Sequence, residues 1–269
     1  MKIIVCDLDG SLMPASSGLY VSKAVQNKII EIEKKGILVI LNSARVFQGI
    51  EPLTKQLKMD QYGGYIIDNN GAHAYDVKTK EHLVSHCLEE EMVCSIWNII
   101  RKYGLDAGYS QPDCFIASGM SDGFRLDEKN CEVEYKIMEK PNIQGDVHKC
   151  SASGTVEEIT QVYPALKQEI ESLYPVQVYH NAPSMIDIIH TKSDKATTLE
   201  YILHRLNSNW HEVSAIGDGN SDVPVLERAG FPVTLENGCE KAKQCAKLIC
   251  PSCYEDGCLV WLEALYESC

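Results

Sequence analysis

The chain has 269 residues, of which 45% are hydrophobic and 23% charged, and these proportions exclude a disordered or fibrous protein. At roughly 150 residues per domain, the length predicts one large domain or a core that carries a second, smaller unit. The formal net charge is −13. Because no block of lysines and arginines interrupts this acidic composition, we expect no nucleic-acid partner.

The N-terminal segment and the hydrophobic runs predict a location. The longest apolar runs, such as residues 37–41, are far shorter than the roughly 20 residues that cross a membrane. Met1 and Lys2 lead directly into the apolar residues 3–6, which leaves no room for the hydrophobic part of a secretory signal. We therefore expect a cytoplasmic protein without a membrane partner. The sequence leaves the oligomeric state open.

Twelve cysteines in a long chain without a signal are expected to be reduced thiols. Cys250 and Cys253 have the spacing of half a zinc site, but no second pair follows at a matching distance. We therefore expect buried or surface thiols rather than a metal or redox centre here. Six cysteines lie near the C-terminal end: Cys239, Cys245, Cys250, Cys253, Cys258 and Cys269.

The elements alternate between strand and helix along the chain. Unbroken apolar runs are typical of parallel strands that are covered on both faces. Four runs fit this description: residues 3–6, 37–41, 213–216 and 185–189, the last of which is interrupted by Asp187. Ser22 is the predicted N-cap of a helix between the first two strands, and Gly36 is its predicted end.

The middle of the chain has a different pattern. Its strand candidates, such as residues 109–117, are shorter and more polar, and a helix is predicted over residues 89–103. Thr155 and Glu158 form a capping box at the start of another helix. We interpret residues 82–184 as an inserted α+β domain.

The rest of the chain returns to the first pattern. A helix follows Ser193, with apolar residues on one face, and leads to the run at 213–216. A shorter helix is predicted over residues 222–229, with Pro224 in its first turn. The sequence thus predicts an α/β fold with a parallel-sheet core of residues 1–81 and 185–269.

Polar residues follow the predicted core strands. Ligands bind outside the carboxyl ends of the strands in an open parallel sheet. If the strands are neighbours, four carboxylates meet there: Asp7, Asp9, Asp218 and Asp222. Each like-charged pair costs about 4 kcal/mol at 4 Å and an effective dielectric near 20, so the group needs a cation or bound protons. Oxygen ligands favour Mg²⁺, and one lysine and one protonated carboxyl would complete the balance.

The spacing of Asp7 and Asp9 also suits catalysis. Residues i and i+2 that leave a strand point the same way, so both carboxylates could act on one phosphorus atom. The structural alternative makes both residues ordinary turn and cap residues. The carboxylates at a second strand end argue against this alternative.

The ordered motifs resemble those of the haloacid dehalogenase superfamily of phosphatases. They are Asp-Leu-Asp-Gly-Ser from Asp7, Ser-Ala-Arg from Ser43, a lysine that opens a helix, and Gly-Asp-Gly-Asn-Ser-Asp ending at Asp222. The chain is most similar to the Cof-type branch, in which a large α+β cap is inserted between the second and third motifs. The resemblance implies a Rossmann-like core and a mobile cap that covers the active site.

The resemblance implies a role for each motif. Asp7 would attack phosphorus and form an aspartyl phosphate, and Asp9 would act as general acid and then as general base. Ser43 and the backbone at Ala44 would bind the phosphate, and Lys195 would neutralise the transferring group.

The same resemblance implies a magnesium site. Mg²⁺ would be held by the Asp7 carboxylate, the backbone carbonyl of Asp9, and Asp218. Asp222 would bind the ion through water, or would contact its ligands without contacting the ion itself. Ser221 would act in this second way.

Lys192 is the competing lysine, because it lies three residues before Lys195. The family pattern favours Lys195, which directly precedes the helix, and Lys192 is then a solvated loop charge. The chain departs from the family pattern at three positions, where Ala44 and Ala196 replace glycine and Ser221 replaces asparagine. Such changes are expected to alter rate or metal affinity.

Other polar residues have no assigned role. Arg45 fits a structural ion pair as well as a substrate contact, and residues 69–71 fit a turn into the cap. Within the cap, three residues could contact a sugar or cofactor: Arg125, His148 and Tyr179.

The sequence therefore predicts a Mg²⁺-dependent phosphatase that acts on small phosphorylated metabolites such as sugar phosphates or phosphorylated cofactors. One alternative is a phosphomutase or phosphotransferase, in which a sugar hydroxyl replaces water. Another is a catalytically silent metabolite-binding protein, which the retention of Asp7, Asp9, Lys195 and Asp218 argues against.

Overall fold

A computed structural model describes residues 1–267, apart from the side chain of Asn181. The chain divides into two compact units. Unit 1 contains Met1–Val84 and the chain from Asp194 onward, and unit 2 contains Ser85–Ser193.

The helices and strands follow in chain order. The first part of unit 1 and the crossing to unit 2 contain β1 (Ile3–Cys6), α1 (Lys23–Lys34), β2 (Leu38–Asn42), α2 (Glu51–Gln56), α3 (Met59–Tyr62), β3 (Tyr65–Asp68), β4 (His73–Asp76) and β5 (His82–Ser85). Unit 2 continues with α4 (Glu90–Lys102), β6 (Asp106–Ser110), β7 (Phe115–Ala117), α5 (Asp122–Cys131), β8 (Tyr135–Ile137), β9 (Lys149–Ser153), α6 (Val156–Leu173), β10 (Val176–Ala182) and β11 (Met185–His190). The second part of unit 1 contains α7 (Lys195–Arg205), β12 (Val213–Ile216), α8 (Val223–Arg228), β13 (Phe231–Leu235), α9 (Glu240–Cys245), β14 (Leu248–Cys250) and α10 (Cys258–Glu267).

Unit 1 is built on an eight-stranded sheet with the order β14-β13-β12-β1-β2-β3-β4-β5. Neighbouring strands from β14 to β3 are parallel, and β4 is antiparallel to β3. Ile4 and Cys6 of β1 pack into one hydrophobic cluster, and Ile3 and Val5 pack into another. Because successive strand residues point to opposite faces, the unbroken apolar run shows that both faces of β1 are covered.

Unit 2 contains a six-stranded sheet with the order β10-β11-β9-β6-β7-β8. All its neighbouring strands are antiparallel except β7 and β8, which are parallel. The expected single strand over residues 109–117 is two strands, β6 and β7, which pair with each other. Helices α4 and α6 contribute to one hydrophobic cluster with this sheet.

The prediction that residues 185–189 form a strand of the core sheet is wrong. β11 pairs antiparallel with β9 and β10, so it belongs to unit 2. Residues 185–189 are all buried there, including Asp187, which pairs with Lys149, and a largely apolar run reports burial on both faces without specifying the sheet. The chain consequently enters unit 2 after residue 84, rather than after residue 81 as predicted. It returns to unit 1 after residue 193, rather than after residue 184.

Local capping signals agree with the sequence. Ser22 caps α1 by accepting a hydrogen bond from the Val25 backbone nitrogen. The Thr155 and Glu158 capping box is present at the start of α6, and it satisfies backbone N–H groups that lack a partner within the helix. Pro224 lies in the first turn of α8.

The eleven cysteines among residues 1–267 are free thiols. Cys250 and Cys253 are buried, and neither belongs to a group of potential metal ligands in this part of the chain. Cys269 lies outside the described residues. No helix within residues 1–267 has both the length and the apolar character needed to cross a bilayer.

Glu33 is an unpaired carboxyl in the interior. It is 4% exposed, and neither of its carboxyl oxygens has a hydrogen-bond partner among the described residues. Burial, with a smaller contribution from Asp60, raises the pKa of Glu33 to about 8. The folded chain therefore favours the neutral form of this side chain.

We predict that Glu33→Gln reduces the pH dependence of stability. Between its ordinary pKa and about 8, the Glu33 carboxyl is protonated in the folded chain and ionised in the unfolded chain. The free energy of unfolding therefore falls as pH rises, by at most about 1.4 kcal/mol per pH unit. Urea unfolding from pH 5 to about 8 measures the total slope, which should become shallower in the variant, while the raised pKa values of Asp7 and Asp218 keep part of it in place. Glu31→Gln on the same helix should retain it, and a slope unchanged by Glu33→Gln would contradict this assignment.

Candidate active site

The strand register brings three sequence-distant segments to one edge of the eight-stranded sheet. Cys6, the last residue of β1, pairs with Leu41 on one side and Ile216 on the other. The chain continues from β1 into Asp7 and from Ile216 into residues 217–222. Parallel pairing therefore places these polar segments side by side at the carboxyl ends of their strands.

Lys195 joins two carboxylates within this edge. Its Nζ lies 2.7 Å from Asp7 Oδ1 and 2.7 Å from Asp222 Oδ1. Asp194 caps α7 by accepting hydrogen bonds from the Ala196 and Thr197 backbone nitrogens, and this cap fixes Lys195 at the first helical position. Lys195 is 3% exposed, whereas Lys192 is exposed to solvent.

Asp222 also holds the loop that carries Asp218. Its Oδ2 accepts hydrogen bonds from the backbone nitrogens of Asp218, at 3.2 Å, and Gly219, at 2.9 Å. The Ser11 hydroxyl donates to Asp218 Oδ1 at 3.0 Å. Asp222 is thus a structural part of the site as well as a partner of Lys195, and Ser221 lies partly exposed in the same loop.

Asp7, Asp218 and Asp222 form a potential metal site, because their ligand oxygens all lie within 4.8 Å of one another. Burial, followed by the Asp222 charge, raises the pKa of Asp7 well above its usual range. The same causes raise the pKa of Asp218 to about 6. Burial alone would lower the pKa of Lys195, but the Asp222 and Asp7 carboxylates outweigh it and raise that pKa.

The donor set fits a hard divalent cation. When all three carboxylates are ionised, they and the one ammonium carry two net negative charges, which one divalent cation would balance. Oxygen-only ligands of this kind suit Mg²⁺. Gly10 keeps space for Asp218, since a Cβ at Gly10 would overlap the Asp218 carboxylate. The residues present therefore fit the magnesium ion that the sequence implies.

Asp9 lies outside this group of three carboxylates and pairs with Arg45. Arg45 donates from Nε to Asp9 Oδ2 at 2.7 Å and from Nη2 to Asp9 Oδ1 at 2.6 Å. The Arg45 side chain is 3% exposed, and it also donates to the backbone carbonyls of Gly18 and Gly49. The structural ion pair considered for Arg45 is therefore present, and its guanidinium faces both oxygens of Asp9.

Ser43 begins the loop after β2. Its hydroxyl oxygen accepts a hydrogen bond from the Arg45 backbone nitrogen at 3.1 Å, and its own backbone nitrogen donates to the Ile67 carbonyl. Ser43 is 1% exposed, and Ala44 is partly exposed.

The asparagines at residues 69 and 70 support the Ser43 loop, a contact that the sequence did not predict. The backbone nitrogens of Asn69 and Asn70 donate to the carbonyls of Arg45 and Ser43, so residues 69–71 form a turn between β3 and β4 that supports the loop. Among residues 1–267, four buried amide atoms have no hydrogen-bond partner: Asn42 Oδ1, Asn69 Oδ1, Asn70 Oδ1 and Asn70 Nδ2. Ser11 was also missed as a partner of Asp218. Its position within the Asp7 motif was the available signal.

The three candidates of the inserted domain lie on separate elements of unit 2. Arg125 is exposed on α5, and Tyr179 lies on β10, where its hydroxyl donates to Gln177. His148 lies just before β9 and contacts Ser85.

The sequence profile of the family described as haloacid dehalogenase-like hydrolase matches residues 4–262. The chain belongs to this family. The predicted α/β fold class and the predicted family are therefore confirmed, together with the prediction that the chain is a hydrolase.

Similar proteins extend over nearly the whole chain. The 5-amino-6-(5-phospho-D-ribitylamino)uracil phosphatase of Bacillus subtilis is 22% identical over 258 residues, which cover 96% of this chain and 92% of that protein. A haloacid dehalogenase-like hydrolase from Bacteroides thetaiotaomicron has a crystal structure with a TM-score of 0.89 and 26% identity, covering 98% of this chain and 99% of that one. The structure of a sugar phosphatase of the same superfamily has a TM-score of 0.77 and 18% identity, covering 98% of each chain, and shows the shared fold.

We predict that Gly10→Ala weakens divalent-cation binding at least about tenfold. Gly10 and Gly36 both have a left-handed backbone, with φ of +82° and +85°, but a Cβ at Gly36 meets no atom within 4 Å. Either alanine should cost about 1–2 kcal/mol of stability, whereas only the Gly10 variant displaces Asp218. Calorimetric titration with Mg²⁺ and urea unfolding separate the two effects. Equal Mg²⁺ affinities in the two variants would argue against Asp218 as a ligand.

Proposed function

We propose that this hydrolase releases inorganic phosphate from small phosphomonoesters through a covalent phosphate ester on Asp7, with the aid of Mg²⁺. The observation that carries the proposal is the position of Asp7. Its carboxylate contacts the Lys195 ammonium at 2.7 Å, and its ligand oxygen lies within 4.8 Å of those of Asp218 and Asp222. A carboxylate nucleophile beside a fixed positive charge and a metal site suits attack on a phosphate dianion.

Asp7 is the proposed nucleophile of the first step. An Asp7 oxygen forms a bond to phosphorus while the bond between phosphorus and the substrate's leaving oxygen breaks. Lys195 balances part of the negative charge on Asp7 and on the transferred group. Because Asp222 also binds Lys195 and the Asp218 loop, it keeps the ammonium and the metal ligands in one arrangement.

Asp9 is the proposed general acid and base. It would donate a proton to the leaving oxygen in the first step and remove a proton from water in the second, which releases phosphate and restores Asp7. Arg45 holds both Asp9 oxygens, so at least one must leave the guanidinium to reach the reacting atoms. The Asp9 side chain is 34% exposed, which leaves room for that movement.

The proposed Mg²⁺ ligands are the carboxylates of Asp7 and Asp218 and the backbone carbonyl of Asp9, with Asp222 acting through water or through its contact with the Asp218 backbone. When bound, the ion would reduce the negative charge that an incoming phosphate meets. Ser43 would donate its hydroxyl hydrogen to a phosphate oxygen, and the Ala44 backbone would contribute at the same loop.

The proposed substrate class is a small phosphorylated metabolite. The Bacillus subtilis relative is named for a phosphorylated ribitylaminouracil, a compound of this class. The role of unit 2 as a cap that selects the leaving group stays a prediction.

We predict that Asp7→Asn abolishes phosphate release while the fold is retained. The amide lacks the negative charge and the nucleophilicity of the carboxylate. The assay measures free phosphate from a panel of phosphomonoesters with Mg²⁺ and no second sugar present. Rapid acid quench should trap radiolabelled phosphate on the unmodified chain and not on the variant.

Asp113→Asn is the matched control, since Asp113 is exposed in unit 2. It should retain full activity and labelling. Phosphate release by Asp7→Asn at the normal rate would eliminate Asp7 as the nucleophile. Transfer that requires a second sugar hydroxyl would favour the phosphotransferase alternative, and inactivity of the unmodified chain across the panel would favour a binding protein.

We predict that Lys195→Ala lowers kcat/KM at least about a hundredfold, equivalent to ~2.7 kcal/mol, because it removes the charge that faces the transferring group. Lys192→Ala should change it less than about twofold, because Lys192 is exposed to solvent. Steady-state kinetics with circular dichroism distinguishes a catalytic defect from unfolding. The opposite order of effects would assign the phosphate contact to Lys192.

A further inference from the structure

Unit 2 contains a second group of potential metal ligands with a different chemistry. The ligand atoms of Cys87, Asp146 and His148 all lie within 4.8 Å of one another. Cys87 and His148 are partly exposed, and Asp146 is exposed. The group is therefore accessible to an ion from solution.

The backbone fixes the two segments that carry these side chains. The Leu88 backbone nitrogen donates to the Val147 carbonyl at 2.8 Å. Leu88 is 4% exposed and Val147 is 1% exposed, and both pack into the hydrophobic cluster of unit 2. Cys87 directly precedes Leu88, and Asp146 and His148 lie on the two sides of Val147. Ion binding therefore needs little ordering of the chain, which lowers its entropic cost.

The Ser85 hydroxyl contacts all three of these side chains. Its hydroxyl oxygen lies 3.2 Å from Cys87 Sγ, 3.4 Å from Asp146 Oδ2 and 2.9 Å from His148 Nε2. One polar atom thus contacts all three potential ligand atoms. Ser85 is exposed, so its hydroxyl can rotate away or remain as an additional oxygen ligand.

The donor types decide which ion fits. A thiolate, an imidazole and a carboxylate are typical ligands of Zn²⁺, which is four-coordinate in most protein sites. The carboxylates of unit 1 offer only oxygen and suit Mg²⁺ instead. We propose that Cys87, Asp146 and His148 bind Zn²⁺, with Ser85 or water as the fourth ligand.

A zinc ion here would join the segment that enters unit 2 to the segment before β9. Ser85 is the first residue of unit 2, and Cys87 and His148 lie on the two sides of the Leu88 and Val147 contact. The ion would therefore stabilise the point at which the chain enters this unit. This inference uses none of the residues of the proposed reaction and does not depend on it.

Cobalt spectroscopy on the untagged, reduced protein tests the proposal. Co²⁺ bound to a thiolate has a near-ultraviolet charge-transfer band that an oxygen-only site cannot produce. We expect this band in the unmodified chain and in Asp218→Asn, and its disappearance on addition of one equivalent of Zn²⁺. Cys87→Ser should abolish the band and weaken Zn²⁺ binding at least about tenfold.

Two further variants complete the test. Cys94→Ser is the matched control, because Cys94 is another partly exposed cysteine of unit 2 that lies outside the ligand group. It should retain the band. His148→Gln should keep a thiolate signal while Zn²⁺ affinity falls about tenfold or more. Absence of the band from the unmodified chain, or its persistence in Cys87→Ser, would overturn the proposal.

Discussion

The active-site edge depends on one buried ammonium between two carboxylates. Lys195 contacts Asp7 and Asp222 at equal distances, although these three residues lie in three separate parts of the chain. Burial makes each of these charges costly alone, so the arrangement is stable only as a set. Since Asp218 adds a further carboxylate, the set still lacks positive charge. This imbalance is the physical reason for proposing a divalent cation at this edge.

The ion pair between Arg45 and Asp9 is separate from the Lys195 contacts. Arg45 neutralises Asp9 and at the same time holds the carbonyls of Gly18 and Gly49. Asp9 is thereby kept apart from the carboxylates that can hold a metal. The acidic residues thus fall into two sets: three carboxylates that could hold a metal, balanced in part by Lys195, and Asp9, which pairs with Arg45. This division matches the two different roles proposed for Asp7 and Asp9.

The sequence indicates the total charge of the site, but it does not indicate which positive side chain lies beside which carboxylate. The sequence predicts four carboxylates at one edge of the sheet, with a proton on one of them to balance the charge. In the structure, Asp9 lies apart from the other three carboxylates and pairs with Arg45. An arginine two residues after Ser43 fits either an internal ion pair or a substrate contact, and only the fold shows which carboxylate it reaches. The contact between Ser11 and Asp218 was hidden for the same reason, because it joins residues 207 positions apart.

The sequence by itself determined the features that depend on local pattern: the alternating elements, the Ser22 and Thr155 helix caps, and the motifs at the strand ends. It also determined the family, because the ordered motifs extend over nearly the whole chain. Tertiary structure alone decided that the apolar run at 185–189 belongs to the antiparallel sheet of unit 2, and that Cys87 meets His148. An apolar run reports that a strand is buried but not which strands cover it, and contacts between distant segments depend on how the whole chain packs.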